Sequence, residues 1–455
     1  MDDVRFDVIV VGAGMAGLAC AAELVLEGRR PLLVCETTEV ASTLRSRWIG
    51  KNRGVVQFLY LAQERFWYDQ ARRLNIPIKL HQTGSLAFQR RGAGPATVTP
   101  YCPTAASLTE VVESAFGFPT PGSRDDFNRV MAAAFSMPWS AVVEMDRVPL
   151  VEWLASQDAD EITTQLLLTF AGTLSFMDAQ QTAEQISVFG ALANFRTFFG
   201  LEGPLVMAEP DLREGLGVHL ANEVERRGGE VWRGRKVAHV LVEDDRAVGV
   251  VLEDGEEVRA GHVAIATGNT RIPKILNPMP AEVAAAVDHS LQFQPEEFSL
   301  FVVLKKPVVQ ERLERSWLIY FDENGKMLQG GWPIEKMMPW TTEPGKQLVY
   351  AQQVKGSMAE VDECGGIDAV WKNMFETHEE MYPGFNEQVE AFDTLRHRHL
   401  WGAPLSIGPK LPRASSDIAN LWFVGDGSRP IRHLYTEGAA SAGILGARSI
   451  SAALG

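Results

Sequence analysis

The stretch Phe6-Asp7-Val8-Ile9-Val10-Val11-Gly12-Ala13-Gly14-Met15-Ala16-Gly17 decides the fold. Its first half is apolar and β-branched, broken only by Asp7 and closed by glycine, which predicts a strand buried on both faces of a parallel sheet. Helix formers then run from Met15 to Leu26, and Gly28 sits just past them as a stop signal. Residues 31–35 predict a second buried strand that ends on Glu36. The opening unit is therefore β-α-β, parallel and right-handed.

Gly12, Gly14 and Gly17 form a GxGxxG turn between a strand and a helix, the setting in which that spacing binds a dinucleotide. Gly12 permits the tight turn, Gly14 lets backbone N–H groups approach a pyrophosphate, and Gly17 lets the helix pack on the strand. Ala13, Met15 and Ala16 complete the phosphate loop, and the helix N-terminus adds partial positive charge. Glu36, about 20 residues on, is placed to accept hydrogen bonds from a ribose. The motif alone fits any cofactor containing ADP.

The 455 residues, 46% hydrophobic, suffice for about two to four structural units. The 58 acidic residues outnumber 43 basic ones and give a net charge of -15, which disfavours nucleic acid and anionic lipid as partners. Cys20, Cys35, Cys102 and Cys364 are scattered without a CxxC pair, so neither a disulfide framework nor a metal site is expected. The acidic start MDDVRF is unlike a signal peptide, and no stretch offers about 20 unbroken apolar residues. The expectation is a cytoplasmic protein without a transmembrane segment; the oligomeric state is not legible.

From about residue 45 to 205 the pattern turns helical, as at residues 66–74 and 150–170, with one short strand at 85–89. The Phe, Met and Leu residues between 165 and 200 suit either helical core or the roof of an apolar channel. Leu212, Leu216, Leu220 and Val224 line one helix face before Gly228-Gly229. Short strands follow at 230–232, 237–243, 247–252 and 263–266, with an Asp254-Gly255 turn. Further strands are expected at 298–304 and 347–352, with an Asn324-Gly325 hairpin turn. The chain closes with a strand at 421–424, Gly425-Asp426-Gly427 and a helix over 437–454.

With that closing segment the chain resembles the flavin amine oxidase and phytoene desaturase superfamily, over residues 5–36, 205–268 and 420–450. The resemblance implies an α/β fold: a Rossmann-type FAD-binding domain, a mixed parallel sheet with an inserted β-meander, interwoven with an α+β substrate domain. The FAD domain would comprise residues 1–90, 205–285 and 401–455. Residues 91–204, largely helical, and 286–400, a mixed sheet, would form the substrate domain. The cofactor would be non-covalent FAD. Gly425 and Asp426 would meet its ribityl and pyrophosphate portion, Val237 the adenine through its backbone, and Ala266-Thr267-Gly268 would lead back into the FAD domain. The helix start Glu437-Gly438-Ala439-Ala440 would aim its N–H groups at the edge of the flavin where reduction places negative charge.

Tyr435-Thr436-Glu437-Gly438-Ala439 looks like the Tyr-x-Glu-Gly-Ala of the amine oxidase branch, which makes Tyr435 a candidate wall of an aromatic cage. His433, two residues away, is a candidate proton acceptor, and Trp401 lies with His397 and His399 on the approach. The sequence departs from the family after Glu36, where Gly-Gly-Arg is replaced by Ser42-Thr43-Leu44-Arg45, so Arg45 and Arg47 compete for one role. Neither Lys305 nor Lys306 matches the family's flavin-facing lysine securely. The expected reaction is hydride transfer from a C–H bond of an apolar or amine substrate to flavin, in amine oxidation or C–C desaturation, with reoxidation by oxygen or another acceptor. The alternatives are a redox-neutral isomerase and a non-catalytic relative that binds a lipidated partner.

Overall fold

The computed structural model describes residues 6–54, 59–60, 66–82, 85–92, 96–100, 104–175, 183, 185–199, 205–293, 295–323, 327–398, 405–425, 427–428 and 435–455. Strand β1 (Phe6–Val11) pairs in parallel with β2 (Pro31–Cys35) on one side and β13 (Glu257–Ile265) on the other. The sheet extends in parallel through β10 (Glu230–Arg233) beyond β2 and β19 (Leu421–Phe423) beyond β13. The first half of β13 continues as an antiparallel meander with β12 (Arg246–Leu252) and β11 (Val237–Glu243). β1 and β2 are apolar in nearly every position because both faces of this sheet are covered.

One covering layer is made by the helix Met15–Leu26 and the terminal helix Tyr435–Leu454, which share a core through Leu18, Leu24, Ile444, Ala447 and Ile450. A Cβ on Gly443 would lie 2.2 Å from the Ala16 carbonyl oxygen, so glycine there lets the two helices meet backbone to backbone. Each of these helices follows a parallel strand and packs on the same face of the sheet. Their N-termini therefore lie at one edge of the sheet, beyond the C-terminal ends of β1 and β19.

The second sheet runs β18 (Val389–Arg398), β14 (Glu296–Leu304), β17 (Gln347–Lys355), β16 (Met327–Pro333), β15 (Ser316–Phe321), β7 (Ser85–Arg90) and β8 (Thr97–Pro100). Alternation divides its faces. Phe301, Val303, Trp317, Ile319, Trp332, Leu348 and Tyr350 pack on the helical layer that includes Glu161–Ser175 and Val188–Phe198. Phe298, Leu300, Val302, Leu318 and Val349 pack beneath the helix Ile367–Met381. Phe170, Phe189, Phe195 and Phe199 are buried in the helical core, as the simpler reading of the 165–200 run has it.

Several expectations need correction. The helix expected over 150–170 is two, Leu150–Ser156 and Glu161–Ser175, because Asp158 adopts φ 51° and the Asp160 carboxylate caps the Thr163 N–H at 2.7 Å. Between residues 45 and 100 there are strands besides β7, among them the hairpin β3 (Arg47–Ile49) and β4 (Asn52–Gly54) and the strand β6 (Lys79–Gln82). They are only three or four residues long, and their pairing is set by partners rather than by pattern. β6, for instance, pairs with β9 (Leu205–Glu209), more than a hundred residues away. β13 begins six residues before the expected strand, since one strand serves both meander and parallel sheet. The helical run 212–226 opens with a π-turn, Arg213–Gly217, while Leu212, Leu216, Leu220 and Val224 stay on its buried face. β7, assigned by sequence to the end of the first FAD segment, lies in the second sheet. The Asn324-Gly325 turn lies outside the described residues.

Among the described residues, no helix is long and apolar enough to cross a membrane.

Candidate functional site

The chain leaves β1 for one neighbour, β2, and later returns to the opposite neighbour, β13, so a crevice opens at the C-terminal end of β1. The Gly12 N–H donates to the Val34 carbonyl and the Ala266 N–H to the Val11 carbonyl, both at 2.9 Å, which draws three strand ends together. Gly12 adopts φ 108°, and a Cβ there would lie 2.9 Å from the Ala266 carbonyl oxygen. Gly14 differs. A Cβ on it would meet nothing within 4 Å, no described side chain caps its helix, and no acidic residue occupies the first turn.

Gly268 and Gly425 at the ends of β13 and β19 face open space in the same way. Next to Gly268, the Thr267 hydroxyl is buried with no hydrogen-bond partner among the described residues. An uncapped helix N-terminus, open glycine faces and an orphaned hydroxyl at a switch-point crevice fit the phosphates and ribose of a dinucleotide.

Glu36, at the tip of β2, is not idle. The Arg271 Nη2 donates to both its carboxylate oxygens at 2.5 Å. Arg45 is exposed, with one long ion contact of 3.9 Å, to Glu39, among the described residues. Arg47 is committed, its Nε donating to the Asp393 carboxylate on β18 at 2.6 Å. Both arginines line a cavity of about 410 Å³ with Trp48, Arg53, Asp211 and Arg213. At its base the buried Asp211 accepts from the Ser46 N–H at 3.0 Å and from the Arg53 guanidinium at 2.7 Å. Together with the Ser46 hydroxyl and the Glu214 N–H, these donors hold the Asp211 carboxyl below its usual range against the opposing effect of burial.

The terminal helix begins at Tyr435, whose φ of 56° turns the chain into it. The Tyr435 hydroxyl donates to the Asn194 Oδ1 at 2.8 Å and the Leu174 carbonyl at 2.9 Å. Asn194, fully buried, donates in turn to the Ser175 hydroxyl at 2.9 Å. Burial raises the Tyr435 pKa well above that of a free phenol, so it stays protonated at neutral pH. Two residues on, the buried Glu437 carboxylate accepts from the Trp67 indole N–H at 2.7 Å. Gly438 and Ala439 are partly exposed and Ala440 is buried.

Asp426, His433, Trp401 and His399 lie outside the described residues. His397 stands opposite Glu297 on the paired strands β18 and β14. Lys305 and Lys306 are both exposed in the turn after β14. Val237 begins β11 opposite Leu252. The sequence singles out none of Arg271, Asn194, Trp67 or the Arg53–Asp211 pair. Only Asn194 carries a signal, as a lone amide in an apolar helical run.

Residues 7–107 match the model of the FAD dependent oxidoreductase family. The N-terminal segment thus resembles an FAD dependent oxidoreductase domain. FAD is the cofactor of that family, and the first β-α-β unit with its glycine turn lies almost wholly within the matched residues. The chain is 24% identical over 251 residues to the 15-cis-phytoene desaturase of Synechococcus elongatus, an alignment covering 53% of this chain and 52% of that protein. The match thus spans about half the length of the curated relatives. Among solved structures, an oxidoreductase from Methanosarcina mazei superposes with a TM-score of 0.73 at 17% identity, covering 97% of this chain and 100% of the other. Cyclohexylamine oxidase from Brevibacterium oxydans gives 0.67 at 15% identity, covering 99% of each chain. At such identities these two likenesses show a shared fold and nothing more.

Proposed function

We propose that the protein uses FAD to oxidise a small molecule, taking a hydride from a C–H bond beside nitrogen or within an apolar chain. The observation that carries this reading is the pair of helix N-termini, at Gly14 and at Tyr435, brought to one edge of the same sheet. A nicotinamide dinucleotide needs only the first; a flavin dinucleotide uses the second as well. The desaturase and amine oxidase named among the relatives support the reaction class.

In this reading the N-terminus at Gly14 and the Thr267 hydroxyl hold the phosphates, and Glu36 takes the ribose. Arg45 carries the further phosphate contact, because Arg47 is already spent on Asp393. Bound FAD supplies the hydride acceptor. The start of the terminal helix, from Glu437 to Ala440, favours negative charge developing against it. Tyr435 contributes its ring and not its proton, since its hydroxyl is turned into the helical layer towards Asn194. It orients the substrate and excludes water from the reacting carbon.

The test is the visible spectrum of the purified protein, followed by anaerobic titration with a panel of primary amines and of polyenes. A flavin spectrum that bleaches with one class identifies the reaction and its substrate type together. A protein that purifies without flavin and binds no added FAD would falsify the proposal.

A further inference from the structure

β2 and β13 flank β1, so Glu36 at the end of β2 and Arg271 in the turn after β13 stand on opposite sides of the crevice above Gly12. Their ion pair bridges it. The two residues are 235 positions apart, in separate segments of the FAD domain, and their side chains are 45% and 39% exposed. The bar therefore lies at the mouth of the crevice and not in its floor.

The chemistry of the pair lets it close over a ligand. A carboxylate offers about four lone-pair sites, and one Arg271 amino group takes only part of them. The remainder can accept the two hydroxyls of a ribose while the guanidinium stays in place. Conversely, a dinucleotide cannot enter beneath a formed bar without parting it.

We propose that Arg271 and Glu36 form a latch that opens to admit the adenosine half of the cofactor and closes again over its ribose. Arg271 is thus a residue of the cofactor site that acts by slowing release, and this role rests on the proposal that the crevice holds FAD. An exposed ion pair contributes about 0.2–1 kcal/mol, so the latch slows release by a factor of at most about five at low salt. Salt weakens it, because exposed charges are screened.

The experiment follows flavin liberated from the FAD-loaded protein after dilution, and separately the binding of FAD and FMN to the stripped protein. Arg271→Ala releases FAD about two- to fivefold faster than the wild type at low salt, and the difference shrinks when salt is raised. Arg271→Ala combined with Glu36→Gln releases FAD no faster than Glu36→Gln alone, because the pair acts as a unit. FMN, which lacks the adenosine, binds all variants alike. Unchanged or slower release from Arg271→Ala, or effects of the two substitutions that simply add, overturns the latch while leaving the FAD proposal standing. A wild-type protein that binds no FAD overturns both.

Discussion

A Cβ placed on Gly17 would lie 1.8 Å from the carbonyl oxygen of Gly12. The first helix is thus pressed onto the turn that launches it, and the glycine loop keeps its shape through backbone contact alone. A Cβ on Gly14, between them, would meet nothing within 4 Å. Two glycines of one motif are therefore structural, and the third leaves open space beside the helix N-terminus.

That difference predicts opposite phenotypes. Gly17→Ala forces the helix off the strand, lowers thermal stability by at least about 1–3 kcal/mol, and reduces the soluble yield. Gly14→Val leaves the far-UV circular dichroism and melting temperature of the flavin-free protein unchanged, yet abolishes flavin retention. A yellow Gly14→Val protein would show that the phosphates lie elsewhere.

Tyr435→Phe removes the donor shared by Asn194 and Leu174 and leaves a buried amide oxygen short of a partner. The expected cost is about 1–3 kcal/mol of stability, read as a lower denaturant midpoint. Because the Tyr435 hydroxyl donates into the helical layer and stays protonated, the pH dependence of flavin reduction should match the wild type between about pH 6 and 9. A limb of the profile lost in Tyr435→Phe would make the phenol a proton carrier instead.

His378 is buried beneath the second sheet, where its Nδ1 meets the Met374 carbonyl at 2.8 Å and its ring stacks on Phe385. Burial depresses its pKa from 6.5 to about 4. The neutral ring thus favours the folded state fully above the unfolded value, and that contribution is lost as pH falls from 6.5 to about 4. Urea unfolding should show stability declining by on the order of 3 kcal/mol over this window from His378 alone. His378→Gln should lack that part of the decline while being less stable at neutral pH; an unaltered slope would refute the assignment.

Much of the FAD domain was legible because its signals are local. A β-branched run closed by glycine, a helix stop at Gly28 and the four-residue spacing of Leu212 to Val224 each report their own segment. The short strands β3, β4 and β6 were not legible, since three or four residues carry too little alternation to mark a strand that exists through its neighbour. Nor was the break at Asp158, where one left-handed residue separates two helices.

By itself, then, the amino-acid sequence determined the opening β-α-β unit, the glycine loop and the two helix starts that call for a dinucleotide. Those follow from steric demands within a few adjacent residues. Only the tertiary structure decided that Glu36 is spanned by Arg271, that Arg47 is held by Asp393 while Arg45 makes only a long contact to Glu39, and that Tyr435 points its hydroxyl at Asn194. Each of these pairs residues more than two hundred positions apart, or, for Arg45, depends on which neighbour lacks such a partner. Spacing along a chain carries no record of which distant side chains meet once separate segments pack into one site.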